Sequence, residues 1–269
     1  MRAFRVAYDG TDYRGYQRQP HGETVENELF RALARLGVTA TPETPPDGYS
    51  AAGRTDAGVS AVQQTVAFDA PDWLTPAAFN GELPPDVRAW ASVDTHDEFH
   101  AQYDATERAY EYHLHAPEAD DDLARAVCGR LSGVHDFHNL TPDATGTERD
   151  LSASVTRDGA YLVCTFTASG FLREFVRRAV GLLAAVAVGD RPLDYCDRVL
   201  ADESLQGPDG VGPVAPEPLL LRRVDYDLGF EIDDDAAASA WTVFEERRIR
   251  RQTGARVAAQ LRSGASRTP

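Results

Sequence analysis

The chain has 269 residues and a formal net charge of −16, and all 27 of its basic residues are arginine, with no lysine. Such a surface repels itself in dilute buffer and stays dispersed where salt screens it; Arg keeps forked phosphate recognition while the flexible apolar stem of Lys is avoided, so the composition reads as adaptation to a salt-rich cytoplasm. Cys128, Cys164 and Cys196 lie far apart with no CxxC pair, which argues against a disulfide framework or a zinc site; the polar N-terminus is unlike a signal peptide, and the apolar run Ala179 to Gly189 is too short to span a bilayer. A folded cytoplasmic protein without a membrane segment is expected.

In chain order, Phe4 to Tyr8 reads as a strand. Thr24 is the expected N-cap of a helix with Val25, Leu29, Leu33 and Leu36 on one face, ended by Gly37. A Pro-rich loop, Thr41 to Gly48, precedes strands at Gln63 to Phe68 and Val87 to Val93, with a short helix from Pro76 between them. Thr106 to His115 alternates as a strand with Tyr110, Tyr112 and Leu114 on one face. Asp120 to Leu131 reads as a helix. Ser152 to Thr156 and Tyr161 to Thr167 flank the turn signal Asp158-Gly159. Phe171 to Val188 reads as a buried helix, Leu219 to Tyr226 as a strand and Ala236 to Arg251 as a last helix, with GASRTP frayed at the end. Helices interleaved with hairpins predict an α+β fold with a mainly antiparallel sheet. The strand–helix–strand order occurs twice, so two related halves are expected, residues 1–105 and 106–269.

The densest chemical signal is Ala52-Gly53-Arg54-Thr55-Asp56-Ala57-Gly58-Val59-Ser60. Gly53 and Gly58 permit a tight loop that a ligand can approach. Arg54 and Asp56 lie two residues apart between them. A carboxylate beside Arg stays ionised, as a nucleophile needs. On spacing alone, the ordinary meaning is a surface turn with a local ion pair.

GRTDAGV resembles the signature of the TruA family of pseudouridine synthases. Four further stretches resemble that family in order: Tyr8 to Gln19, Phe99-His100-Ala101 running on to Tyr110-Glu111-Tyr112, Phe171 to Arg177, and Pro216 to Leu221. The resemblance, with the composition, points to a haloarchaeal member. It implies two ferredoxin-like (RRM-like) halves forming one sheet, and a homodimer that isomerises uridines 38, 39 and 40 in the anticodon stem-loop of tRNA. It makes Asp56 the catalytic carboxylate, Arg54 the residue that displaces and positions the base, Tyr110 the ring against it, and Arg177 the helical partner of Asp56. The reaction gains no atoms and needs no redox step, so no cofactor and no metal are expected. Ser60 stands where the family often has His, and Arg173-Glu174 where it often has a pair of His.

Several residues carry a second reading. Tyr110 and Tyr112 can equally form an aromatic pair on one strand face. Arg173 and Arg177 share a face of an otherwise apolar helix, and a buried Arg there needs an acidic partner. Arg14, Arg18, Arg54, Arg108, Arg177, Arg178, Arg222-Arg223 and Arg247 to Arg251 predict an arginine-lined RNA cleft on an acidic body. For Arg247 to Arg251, a solvated helix or a subunit contact is the alternative. A non-catalytic RNA-binding protein would lack the carboxylate. A glycoside hydrolase would need a second one, for which Glu174 is one conceivable partner.

Overall fold

The computed structural model describes residues 1–265. Its strands are β1 (Arg2–Tyr8), β2 (Ser50–Ala51), β3 (Ser60–Phe68), β4 (Val87–Asp94), β5 (Glu107–His115), β6 (Gly133–Asp136), β7 (Glu148–Asp158), β8 (Tyr161–Ala168), β9 (Leu219–Asp225) and β10 (Glu231–Ile232). The helices are α1 (Val25–Arg35), α2 (Pro76–Asn80), α3 (Asp121–Leu131), α4 (Phe175–Ala187), α5 (Tyr195–Val199) and α6 (Asp234–Ala265). This is the α+β architecture expected, with one large sheet flanked by helices. No helix among the described residues is long and apolar enough to cross a membrane.

The strand order is β10-β4-β1-β3-β9-β5-β8-β7-β6, with β2 paired to β3. Every pairing is antiparallel except β3 with β9, where Ser60 meets Leu220 and Ala61 meets Leu221. That two-rung parallel ladder is the seam of the sheet. β9 comes late in sequence yet lies between β3 and β5. The final segment then returns to the N-terminal side, where β10 pairs with β4.

Strand alternation decides which face each residue feeds. From β1, Phe4, Val6 and Tyr8 enter the main core beneath the helices, while Ala3 joins a smaller cluster with Ala67, Phe99 and Ala101. Phe4 stacks on Phe68 with centroids 5.3 Å apart and packs T-shaped against Phe79 with centroids 5.7 Å apart, which fastens α2. Each such fully buried ring stabilises the fold by about 1.5–3 kcal/mol. Arg5 points to the other face, with its guanidinium 4.1 Å from the Phe230 ring and a hydrogen bond to Thr65 Oγ1.

Thr24 caps α1 by accepting from the Asn27 amide, and the apolar run from Ala179 is buried in α4. Two helix boundaries differ from the sequence expectation by four residues or more. The helix expected from Phe171 begins at Phe175, because residues 171–174 are held open. The Asp143 carboxylate accepts from the Arg173 amide, Thr141 Oγ1 donates to the Arg173 carbonyl, and Glu174 takes a left-handed φ of 59°. The last helix runs on from Arg251 to Ala265. Good helix formers carry it, over about 48 Å at 1.5 Å per residue. From Arg251 onward it is exposed throughout. Of the tail expected to fray, Gly264 and Ala265 are helical, and 266–269 lie outside the described residues.

Candidate active site

The loop before β3 carries Arg54 and Asp56, and the N-terminal stretch builds its support. Tyr8 and Thr55 share a hydroxyl–hydroxyl hydrogen bond of 2.8 Å, and both are buried. The Tyr16 amide donates to the Thr55 carbonyl, and the Gly58 amide donates to that of Tyr13. Gln64 Nε2 donates to the Gly53 carbonyl at 2.8 Å. Ser60 Oγ accepts from the Gly10 amide, which gives this hydroxyl a structural task. Gly58 has φ of +84° beside Pro216, and the sequence signal there was legible. Gly53 has no positive φ, and a Cβ on it would meet nothing within 4 Å. Gly15, within the family-like stretch Tyr8 to Gln19, has φ of +96°, and a Cβ there would lie 2.9 Å from the Thr55 carbonyl.

Across the seam, α4 supplies Arg177. Its Nε donates to the Val214 carbonyl at 2.7 Å, and its Nη1 donates to Asp56 Oδ2 at 3.1 Å. The local Arg54–Asp56 ion pair is therefore not what forms. Asp56 pairs with a residue 121 positions later. The Asp56 side chain remains 37% exposed and that of Arg177 16%, so the pair has one edge open. Arg54 is exposed and, among the described residues, meets neither a carboxylate nor another acceptor.

Tyr110 stands on β5, buried, its ring T-shaped against that of Phe171 with centroids 5.0 Å apart. Tyr112, two residues on, donates its hydroxyl to the Ala215 carbonyl and fixes the segment before β9. Asp56, Arg54, Tyr110 and Arg177 all line one cleft of about 1030 Å³.

The arginine-lined cleft needs correction in its membership. Arg108 is buried, and its guanidinium is committed to three backbone carbonyls: Ala52, Gln102 and, by a short bond, Ser169. It lines the cleft as expected, but four of its five N–H groups are spent on clamping these walls together rather than on phosphate. Arg178 turns to Glu174 and the Val211 carbonyl, and Arg223 to Glu107 and Asp225. Arg247 and Arg251 hold Asp9, which fastens α6 to the body; the Arg251 side chain stays 61% exposed, and neither residue lines the cleft. Arg149 and Arg173 do line it; sequence reasoning did not place Arg149 there, since a lone Arg at a strand start carries no pattern. The other carboxylates of the cleft are engaged: Glu26 accepts from the Arg18 amide, Asp143 pairs with Arg173, and Glu174 with Arg178. Glu174 is thus not a free second acid for glycoside hydrolysis.

Burial pushes the Tyr110 phenol up to about 12, the Asp56 charge adding to this and Arg108 opposing it. Burial does the same to Tyr226, also to about 12. In an unfolded chain both titrate near 10. Between those values the unfolded state has released protons that the folded state keeps, so stability falls as pH rises from about 10 to about 12. The expected loss is on the order of 2–3 kcal/mol per tyrosine. Denaturant melts at about pH 9 and about pH 12 measure it. An equal loss in a variant carrying both Tyr110→Phe and Tyr226→Phe would contradict it.

An α+β sheet with the half-open Asp56 carboxylate at its seam, in a cleft lined by arginines, defines an enzyme cleft for a polar, anionic substrate. A family profile for tRNA pseudouridine synthase matches residues 127–227. The tRNA pseudouridine synthase A of Natronomonas pharaonis is 60% identical over 97% of this chain and 98% of its own length. That of Haloarcula marismortui is 56% identical over 98% of this chain and all of its own. That of Methanosarcina acetivorans is 36% identical over 87% of each. The chain therefore belongs to the tRNA pseudouridine synthase A family and is an isomerase. Its high-identity haloarchaeal relatives accord with the salt adaptation read from its composition.

Proposed function

We propose that the protein isomerises uridine to pseudouridine at positions 38, 39 and 40 in the anticodon stem-loop of tRNA, with Asp56 as the catalytic carboxylate. The observation that carries this reading is the Asp56–Arg177 pair. It sets one carboxylate edge-open in a cleft with an aromatic wall. The reaction breaks the bond from ribose C1′ to uracil N1 and makes one from C1′ to C5; the proton lost from C5 is balanced by one gained at N1. A carboxylate serves this by attack at C1′, by addition to C6, or by taking a proton from C2′ to give a glycal. Each route needs a charged oxygen held in a fixed direction, and Arg177, itself held by Val214, supplies that direction.

A stacked base cannot reach a carboxylate at the foot of a cleft, so the target is extruded first. Arg54, exposed and unengaged, takes the vacated place in the stack, and the Tyr110 ring receives the turned-out uracil. With its hydroxyl protonated at neutral pH, Tyr110 can also donate a hydrogen bond. Residues 1–105 carry the Asp loop, and residues 106–269 complete the cleft with Tyr110 and Arg177. We take the protein to act in the cytoplasm as a homodimer, so that one tRNA spans both subunits.

The test is pseudouridine mapping in tRNA from a strain lacking this protein. The expected result is unmodified uridine at 38, 39 and 40, restored by the gene in trans. Pseudouridine persisting there, with loss elsewhere in the tRNA, would overturn the assignment.

A further inference from the structure

Tyr103 is 76% exposed, more than any other large apolar side chain among the described residues. It does not stand on an arbitrary surface. His100, Gln102 and Tyr103 line the same cleft as Asp56. The rings of His100 and Tyr103 stack with centroids 4.2 Å apart and planes 29° apart. His100 thus covers one face of the tyrosine, and the other is left open.

The turn that carries this stack is fixed before any ligand arrives. The His100 amide donates to Asp104 Oδ2 and the Gln102 amide to His100 Nδ1. The Tyr103 and Asp104 amides both donate to the His100 carbonyl. The Ala101 amide donates to Ser50 Oγ, and Tyr226 donates its hydroxyl to the Ala101 carbonyl. Arg108 then joins the Gln102 carbonyl to that of Ala52, at the root of the Asp56 loop. The ring is held at a set place relative to the catalytic carboxylate, so little ordering entropy is lost when a flat ligand lands on it.

We propose that the His100–Tyr103 stack is a platform for the unpaired nucleobase next to the converted uridine. The proposal rests on the reading of the cleft as the site of an extruded uridine. Every base has a π-face, so stacking holds the strand without demanding a sequence. Stacking also survives high salt, which weakens phosphate contacts. For a chain of net charge −16 whose arginines are largely engaged by its own acids, that matters more than usual.

The test uses the full chain and synthetic tRNAs in which 2-aminopurine replaces the nucleotide on either side of the converted uridine. With the wild type, fluorescence is quenched at one of the two sites on binding. Tyr103→Ala loses that quenching and weakens tRNA binding about tenfold or more. Tyr103→Phe keeps both, because the ring and not the hydroxyl does the stacking. If Tyr103→Ala binds and quenches like the wild type, the platform is refuted. It is refuted too if Tyr103→Phe fails as badly as Tyr103→Ala. If instead the wild type itself forms no pseudouridine in these tRNAs, the reading of the cleft has failed, and that outcome is told apart by the activity of the wild type alone.

Discussion

Replacing Asp56 with alanine lowers pseudouridine formation by about 10⁴-fold or more, while tRNA still binds. The loss falls on turnover because, in the proposed function, the carboxylate is the group that meets the reacting ribose or base, and affinity comes from the rest of the cleft. The fold tolerates the change. The Asp56 side chain is 37% exposed, and Arg177 keeps its bond to the Val214 carbonyl. Asp56→Asn preserves the size and one hydrogen-bond acceptor but not the charge, and falls as far. Single-turnover conversion of tRNA, measured beside equilibrium binding, decides the matter. Residual conversion within tenfold of the wild type would remove Asp56 from the mechanism.

The second large effect is on stability, at a residue that touches no substrate in this scheme. Arg108→Ala removes the guanidinium that satisfies the carbonyls of Ala52, Gln102 and Ser169 together. A buried carbonyl left without a donor costs about 1–3 kcal/mol. Allowing for water entering the gap, the variant is expected to lose about 3–5 kcal/mol, or roughly 10 °C in Tm. Arg108→Lys recovers only part of this, since one ammonium cannot serve three carbonyls set in different directions. A melting curve for Arg108→Ala within a degree or two of the wild type would show that the clamp is dispensable.

These two residues also mark where sequence reasoning succeeds and where it stops. Asp56 sits in a run dense in small and charged residues, and Arg177 is a cation on an apolar helix that demands an acidic partner. Both features are local and readable, and the structure brings the two residues together at 3.1 Å. Seven of the ten described strands were legible for the same reason, since alternation along β1, β5 and β8 is local; the short β2, β6 and β10 were not. Arg108 was not. On an alternating strand beside Tyr110 it reads like any other exposed arginine, and only the path of the 100–104 turn and of residues 169–170 makes it structural. Arg247 and Arg251 fail in the same way, because their partner Asp9 lies at the other end of the chain. The missing first turn of α4 is a further case. Residues 171–174 have adequate helix propensity, and it is Thr141 and Asp143 that hold them open. Long-range hydrogen bonds override propensity there, and no window along the sequence contains both partners.

The seam between β3 and β9 has two rungs, and the carboxylate comes from one side of it and its guanidinium from the other. Neither block carries the pair alone. With Asp56 as the proposed catalytic group, a molecule in which each block has formed but the two are misaligned is chemically silent toward RNA, so competence to modify a nucleotide arrives only with correct assembly.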